Sequence, residues 1–227
     1  MNEKIKWIDN LDFHFPIFHE NMDNIIYQID SERLVKIYKS HISESKKSQI
    51  TMMVQYFLNH PNDKDIVPEK VWLSNEGFLG YEMRYEKNYQ PLSTQLKLLN
   101  YHQIVELLYC VEQELLSHNH AYIYTDIDVD NILYNNGEMK WIDFDDCLIT
   151  NTLTLEQKKM SLQHQRSIFN IFAISLLYQV SLEDIYYIDK TKKLSDEQKE
   201  QIRELLLNHY HSIDSLLKHY DSFMKQK

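Results

Sequence analysis

Glycine is nearly missing from this chain: Gly77, Gly80 and Gly137 are the only three in 227 residues, against a usual share of about 7%. A loop that wraps phosphates with closely spaced glycine amides is therefore excluded. Cysteine is rarer still, with only Cys110 and Cys147. Both lie in apolar stretches and are expected to be buried free thiols rather than a disulfide, which suits a reducing compartment. No stretch approaches the roughly 20 apolar residues needed to span a bilayer. The start, Met1-Asn2-Glu3-Lys4-Ile5-Lys6-Trp7, holds no signal-peptide core. Positive charge is also short, with 24 Lys and Arg against 34 Asp and Glu. That balance argues against a nucleic-acid partner, because phosphate backbones need a basic face. The expectation is a cytoplasmic protein with neither nucleic acid nor membrane as partner.

What is present is an aromatic core, with 16 Tyr and 9 Phe in a chain that is 43% apolar. Residues 13–38 have strand character. Asn24 to Ile29 and Arg33 to Tyr38 flank an Asp30-Ser31-Glu32 turn as in a hairpin. Ser43 to Asn59 has helical periodicity, ended by His60-Pro61. Lys70 to Leu73 and Phe78 to Met83 make a second strand pair. Beyond these the chain turns helical, at Gln103 to Ser117, at the apolar Ser167 to Val180, after Ser195 with its capping-box Gln198, and along Ile213, Leu216, Leu217 and Tyr220. Between the first two of these helices, Ile132 to Tyr134 and Met139 to Ile142 are joined by Asn135-Asn136-Gly137, a hairpin-turn sequence. The expected fold class is α+β, with a strand-rich part at 1–86 holding one helix and a mainly helical part at 87–227.

Six aspartates fall within residues 126–146. Clustering them without counter-charge is costly even at an effective dielectric near 20, so Asp126, Asp143 and Asp145 point to a bound cation. The spacing Asp126-x-Asp128-x-Asp130 suggests a calcium loop, but that loop needs Gly sixth and Glu twelfth, where this chain has Asn131 and Gly137. His118 and His120 close a helix with no third ligand nearby, and capping or packing explains them better than metal.

Asp126-Ile127-Asp128-Val129-Asp130-Asn131-Ile132-Leu133 followed by Trp141-Ile142-Asp143-Phe144-Asp145 resembles the catalytic and metal-binding loops of the protein-kinase-like superfamily. The resemblance implies a bilobal kinase-like fold with a truncated activation segment, and phosphoryl transfer from ATP with Mg²⁺ or Mn²⁺. It implies Asp143 as the principal metal carboxylate, Asn131 as the second metal ligand, and Asp126 as the group orienting or deprotonating the acceptor hydroxyl. Lys36, in Val35-Lys36-Ile37-Tyr38, resembles the lysine that contacts the nucleotide phosphates; alone it also reads as an ordinary edge-strand lysine, and the downstream acids favour the nucleotide role. Met83 resembles the gatekeeper, Arg84 and Glu86 the hinge whose backbone bonds adenine, and Leu133 the floor of the adenine pocket. Tyr124 stands where many members carry His.

Several positions depart from that pattern. The helix carboxylate that should pair with Lys36 falls at Thr51, with Glu44 and Gln49 as imperfect substitutes. The segment His19 to Asn24 has no glycine. Asp128 replaces a phosphate-contacting Lys, Thr125 replaces a regulatory Arg, and Asp145 replaces the Gly that usually follows Asp-Phe. These abbreviations resemble the compact atypical kinases of the RIO, Bud32 and lipopolysaccharide-kinase groups, and imply a protein Ser/Thr hydroxyl as acceptor. The departures also fit a pseudokinase serving as a nucleotide- or protein-binding regulatory module. The metal loop further resembles aminoglycoside and choline kinases, but the short separation of Met83 from Asp126 leaves no room for their substrate-binding insertion.

Overall fold

The structure is a computed structural model that describes residues 4–8 and 14–225. The beginning of the strand segment expected from residue 13 lies outside the described residues. In chain order the elements are β1 (Ile5–Trp7), β2 (Ile17–Glu20), β3 (Asn24–Gln28), β4 (Arg33–Tyr38), α1 (Glu44–Asn59), β5 (Lys70–Ser74) and β6 (Gly77–Arg84). They continue with β7 (Gln90–Pro91), α2 (Leu92–Gln95), α3 (Tyr101–His118), β8 (Tyr122–Ile123), β9 (Ile132–Asn135), β10 (Glu138–Trp141) and β11 (Leu148–Ile149). Four helices close the chain: α4 (Leu155–Tyr178), α5 (Leu182–Tyr186), α6 (Asp196–Leu207) and α7 (Ile213–Met224). The protein is α+β, with a mixed six-stranded sheet and a mainly helical C-terminal part. No helix among the described residues is long and apolar enough to cross a membrane.

Contacts divide the chain into two units. The first runs to Gln90 and takes in Ile132–Ile149. Its sheet has the order β1-β5-β6-β4-β3-β2, with β1 parallel to β5 and the other pairs antiparallel. Strand β4 is central, and the two-residue period of a strand splits its side chains between faces. Val35 and Ile37 enter an apolar cluster with Trp72, packed by Ile8, Phe15, Tyr27, Ile29 and Leu79. Leu34, Lys36 and Tyr38 belong to the opposite face. Helix α1 is capped by the Ser43 hydroxyl, which accepts from the Lys46 amide. It buries Ile50, Met53, Val54 and Phe57.

The β9–β10 hairpin turns on Asn136 and Gly137, both at positive φ, as a two-residue hairpin turn requires. It is tied to the 62–67 loop of the same unit. The Trp141 amide donates to Asp65 Oδ1 at 3.1 Å, and the Ile66 amide donates to the Trp141 carbonyl at 2.9 Å.

The second unit comprises Pro91–Asn131 and the chain from Thr150 onward. Helix α3 begins with a capping box between Asn100 and Gln103 and packs against α4 and α7. Glu112 is buried, bonds Arg166 at 2.5 Å, and accepts the Ile213 amide at the start of α7 at 2.9 Å. A carboxylate there satisfies an orphan helix donor and meets the positive end of the helix dipole. The capping box at Ser195 and Gln198 forms with both reciprocal bonds. His118 stacks on Tyr122 at 4.7 Å between ring centroids and lies 3.7 Å from Glu114, so it packs and pairs within its own unit.

Two expectations need correction. Cys110 is exposed; only Cys147 is buried, and both are free thiols. Cys110 lies in an apolar stretch, but α3 turns that position outward. Helix α4 starts at Leu155, well before Ser167. Its first turns carry exposed residues on most sides, including Leu155 and Met160, so they show no apolar stripe to mark a helix.

Candidate active site

Strand geometry sets the core of the site in the first unit. Lys36 and Tyr38 are two residues apart on β4 and so share a face, and Tyr81 of β6 stands directly opposite Lys36 in the antiparallel register. All three converge on Asp145, which follows the β9–β10 hairpin. Lys36 Nζ donates to Asp145 Oδ2 at 2.7 Å and to Asp143 Oδ1 at 2.8 Å. The other Asp145 oxygen accepts from the Tyr38 hydroxyl at 2.6 Å and the Tyr81 hydroxyl at 3.2 Å. The Lys36 side chain is 3% exposed, Asp145 9% and Asp143 35%.

Burial alone would lower the Lys36 pKa, but the Asp145 and then the Asp143 carboxylate outweigh it, and the ammonium is held above its ordinary value. Burial pushes Tyr38 and Tyr81 well up, so both remain neutral donors. For Asp145, burial and the adjacent Asp143 charge raise the carboxyl against the pull of Lys36. The acids expected to hold a bound cation thus have counter-charge within the chain, because two of them share Lys36. Lys46 adds a third contact, reaching Asp146 at 2.5 Å.

Asp143 has φ of 57°, a left-handed conformation that Asp tolerates better than most residues and that marks functional positions more often than chance. Phe144 fills the core between these two acids and meets Phe57 of α1 edge-on at 5.0 Å. Helix α1 supplies no carboxylate to Lys36. Thr51 bonds its own helix at the Lys47 carbonyl and lines a cavity with Ile5 and Val71, while Glu44 bonds Lys47. Gln49 and Lys46 instead donate to the Asp145 carbonyl at 3.2 and 3.3 Å. Asp145, which the sequence groups with the acids pointing to a bound cation, is instead the buried partner of Lys36. The available signal was Lys36 and Tyr38 sharing a strand face, two buried polar heads that need an acid.

The remaining first-unit candidates lie around the same sheet and hairpin. Met83 is buried and pairs in register with Leu34. Arg84 ends β6 opposite Arg33, and its guanidinium donates to the Asn62 and Asp65 carbonyls. The Glu86 carboxylate bonds Lys140 at 2.5 Å, and its carbonyl accepts from the Tyr89 amide. Leu133 sits in β9, half-buried, opposite Lys140.

In the second unit, Asp126 is exposed, and Asn131 Nδ2 donates to its Oδ2 at 2.8 Å and its carbonyl at 3.1 Å. Asp128 closes an Asx turn by accepting the Asp130 amide at 2.9 Å. The loop is anchored from α4, where buried Gln165 donates to the Tyr124 carbonyl at 3.0 Å.

Asp143 and Asn131 each present the hard oxygen chemistry that Mg²⁺ takes, one or two protein oxygens with the rest from water and phosphate. No cluster of three His, Cys, Asp or Glu able to hold a metal occurs among the described residues. No protein-family model matches the chain, and no curated protein is significantly similar to it in sequence.

Proposed function

We propose that this protein is an ATP- and divalent-metal-dependent phosphotransferase of the atypical protein-kinase-like type, with the bilobal fold that name implies, acting on a Ser/Thr hydroxyl of a protein. The observation that carries the reading is the Lys36 ammonium, buried on a central strand and shared between a buried and a partly exposed carboxylate. A buried ion pair is poor evidence for stability alone, since desolvation offsets much of its attraction. Its retention is better accounted for by a task that needs a fixed charge.

In this reading Lys36 binds nucleotide phosphates, Met83, Arg84, Glu86 and Leu133 receive the base, and Asp143 and Asn131 supply oxygen to the metal. Mg·ATP supplies the transferable phosphoryl group and the charge neutralisation it needs. Asp126, held by Asn131, orients the acceptor hydroxyl and takes its proton. Incubation with labelled ATP and Mg²⁺ or Mn²⁺ tests the proposal: wild type labels itself or a generic protein acceptor, and Asp143→Ala and Asp126→Ala do not. Equal labelling by wild type and Asp143→Ala would remove this site from the chemistry.

One observation favours a second reading, a nucleotide-binding module without turnover. In the β2–β3 turn the Asp23 and Asn24 amides both donate to Asn21 Oδ1 at 2.9 Å, and Lys39 caps the Asn21 carbonyl. Those amides are spent inside the turn rather than offered to phosphates. ATP-induced thermal stabilisation without any product, under conditions where ligand at 100 times its Kd adds roughly 2.7 kcal/mol, would select this reading.

A further inference from the structure

We infer that Asp145 is the positioning residue of Lys36, and that helix α1 acts on Lys36 through the Asp145 backbone rather than through a carboxylate of its own. The two carboxylates on Lys36 differ in exposure to solvent. Asp143 is 35% exposed and can exchange its lysine contact for a ligand from solvent, whereas Asp145 is 9% exposed. Asp145 also has every oxygen committed. Oδ2 holds Lys36, Oδ1 holds Tyr38 and Tyr81, and the carbonyl holds Gln49 and Lys46. When Asp143 turns to another partner, Asp145 remains to neutralise Lys36 and hold its Nζ in place.

The inference rests on the proposed nucleotide role of Lys36, but its structural half can be tested without nucleotide. In ¹⁵N-labelled protein the Lys36 ammonium resonance, identified by its loss in Lys36→Met, is slow to exchange in wild type. It remains so in Asp143→Asn and is lost to fast exchange in Asp145→Asn. Metal-free ATP binding measured by calorimetry weakens about ten-fold in Asp145→Asn, the scale of one charge-assisted hydrogen bond.

Tyr38→Phe, which removes one hydroxyl from Asp145 and leaves both acids, and Gln49→Ala, which frees its carbonyl, move both readouts in the same direction by less. They carry the test if Asp145→Asn does not fold. Protection that survives in Asp145→Asn and disappears in Asp143→Asn overturns the assignment. If wild type binds no ATP while the ammonium results stand, the nucleotide reading fails and the positioning by Asp145 survives.

Discussion

Gly80 faces the carbonyl of Lys36 so closely that an added Cβ would lie 1.9 Å from that oxygen and 2.9 Å from the carbonyl carbon. It pairs with Ile37 on one side and Trp72 on the other, beside a bulge where Leu79 has no partner on β5. Bulges bring backbones together in a way that a side chain cannot share. Relieving the contact in Gly80→Ala to an ordinary separation of about 3.5 Å would force β4 and β6 more than an ångström apart. Ladder bonds near 2.9 Å would then pass beyond hydrogen-bonding range. Two lost bonds between buried groups, each about 1–3 kcal/mol, set a cost of about 2–6 kcal/mol.

Gly137→Ala is the internal control. Its φ of +94° makes the substitution strained, but no atom lies within 4 Å of the added carbon, so about 1–2 kcal/mol is expected. Urea unfolding followed by tryptophan fluorescence reads this unit, because Trp72 and Trp141 are buried in it. With a slope of about 2 kcal/mol per molar urea, Gly80→Ala lowers the midpoint by roughly 1–3 M and Gly137→Ala by roughly 0.5–1 M. A Gly80→Ala protein as stable as Gly137→Ala would refute the close-approach reasoning, and with it the placement of Lys36 beside Tyr81.

Gln165→Leu removes the buried bond from Gln165 to the Tyr124 carbonyl, a loss of about 1 kcal/mol, and hydrogen exchange over residues 122–131 accelerates. Glu112→Ala strands Arg166 and the first amide of α7, and thermal unfolding should show a loss of about 3–5 kcal/mol, the usual result of removing one member of a buried pair. Native protein treated with a thiol reagent at neutral pH loses Cys110 and keeps Cys147, whose thiol is pushed well up by burial; equal labelling of both would contradict that burial. Lys193 and Ser181 hold the Asp184 carboxyl well below the usual carboxylate range. A lowered folded pKa contributes stability above the unfolded value, about 3.9, that is lost as pH falls through it toward the folded value. The melting temperature of Asp184→Asn should therefore fall less than that of wild type between pH 5 and 2, a window set by those values.

The hairpins and helix α1 were legible because each has a local marker. Alternating apolar residues flank Asp30 to Glu32, Asn136-Gly137 fits a turn with two positive φ values, and Ser43 caps the helix that His60 ends. Strand β1 was not legible, since three residues carry no alternation and their parallel pairing with β5 spans most of the unit. The first turns of α4 were missed because exposed residues there leave no stripe. The site was only half legible. The resemblance to protein kinases points to Lys36, Asp126, Asn131 and Asp143, but it implies a partner for Lys36 on α1, whereas the carboxylate bonded to Lys36 comes from Asp145.

The charge that Lys36 needs comes from a residue 109 positions away, and long-range neutralisation leaves no mark in local periodicity. A buried ammonium nonetheless demands a carboxylate, and the one Glu of α1, Glu44, is bonded to Lys47 instead, so an acid must arrive from elsewhere, and its second oxygen must also be satisfied. Tyr38 and Tyr81 meet the second requirement because one is two residues from Lys36 and the other is its cross-strand partner. Moving the carboxylate from helix to loop also changes what can disturb it. A rigid shift of α1 no longer withdraws the acid from the lysine directly. It does so only by pulling on the Asp145 carbonyl through Gln49 and Lys46, which ties the position of Lys36 to the same short segment that presents Asp143.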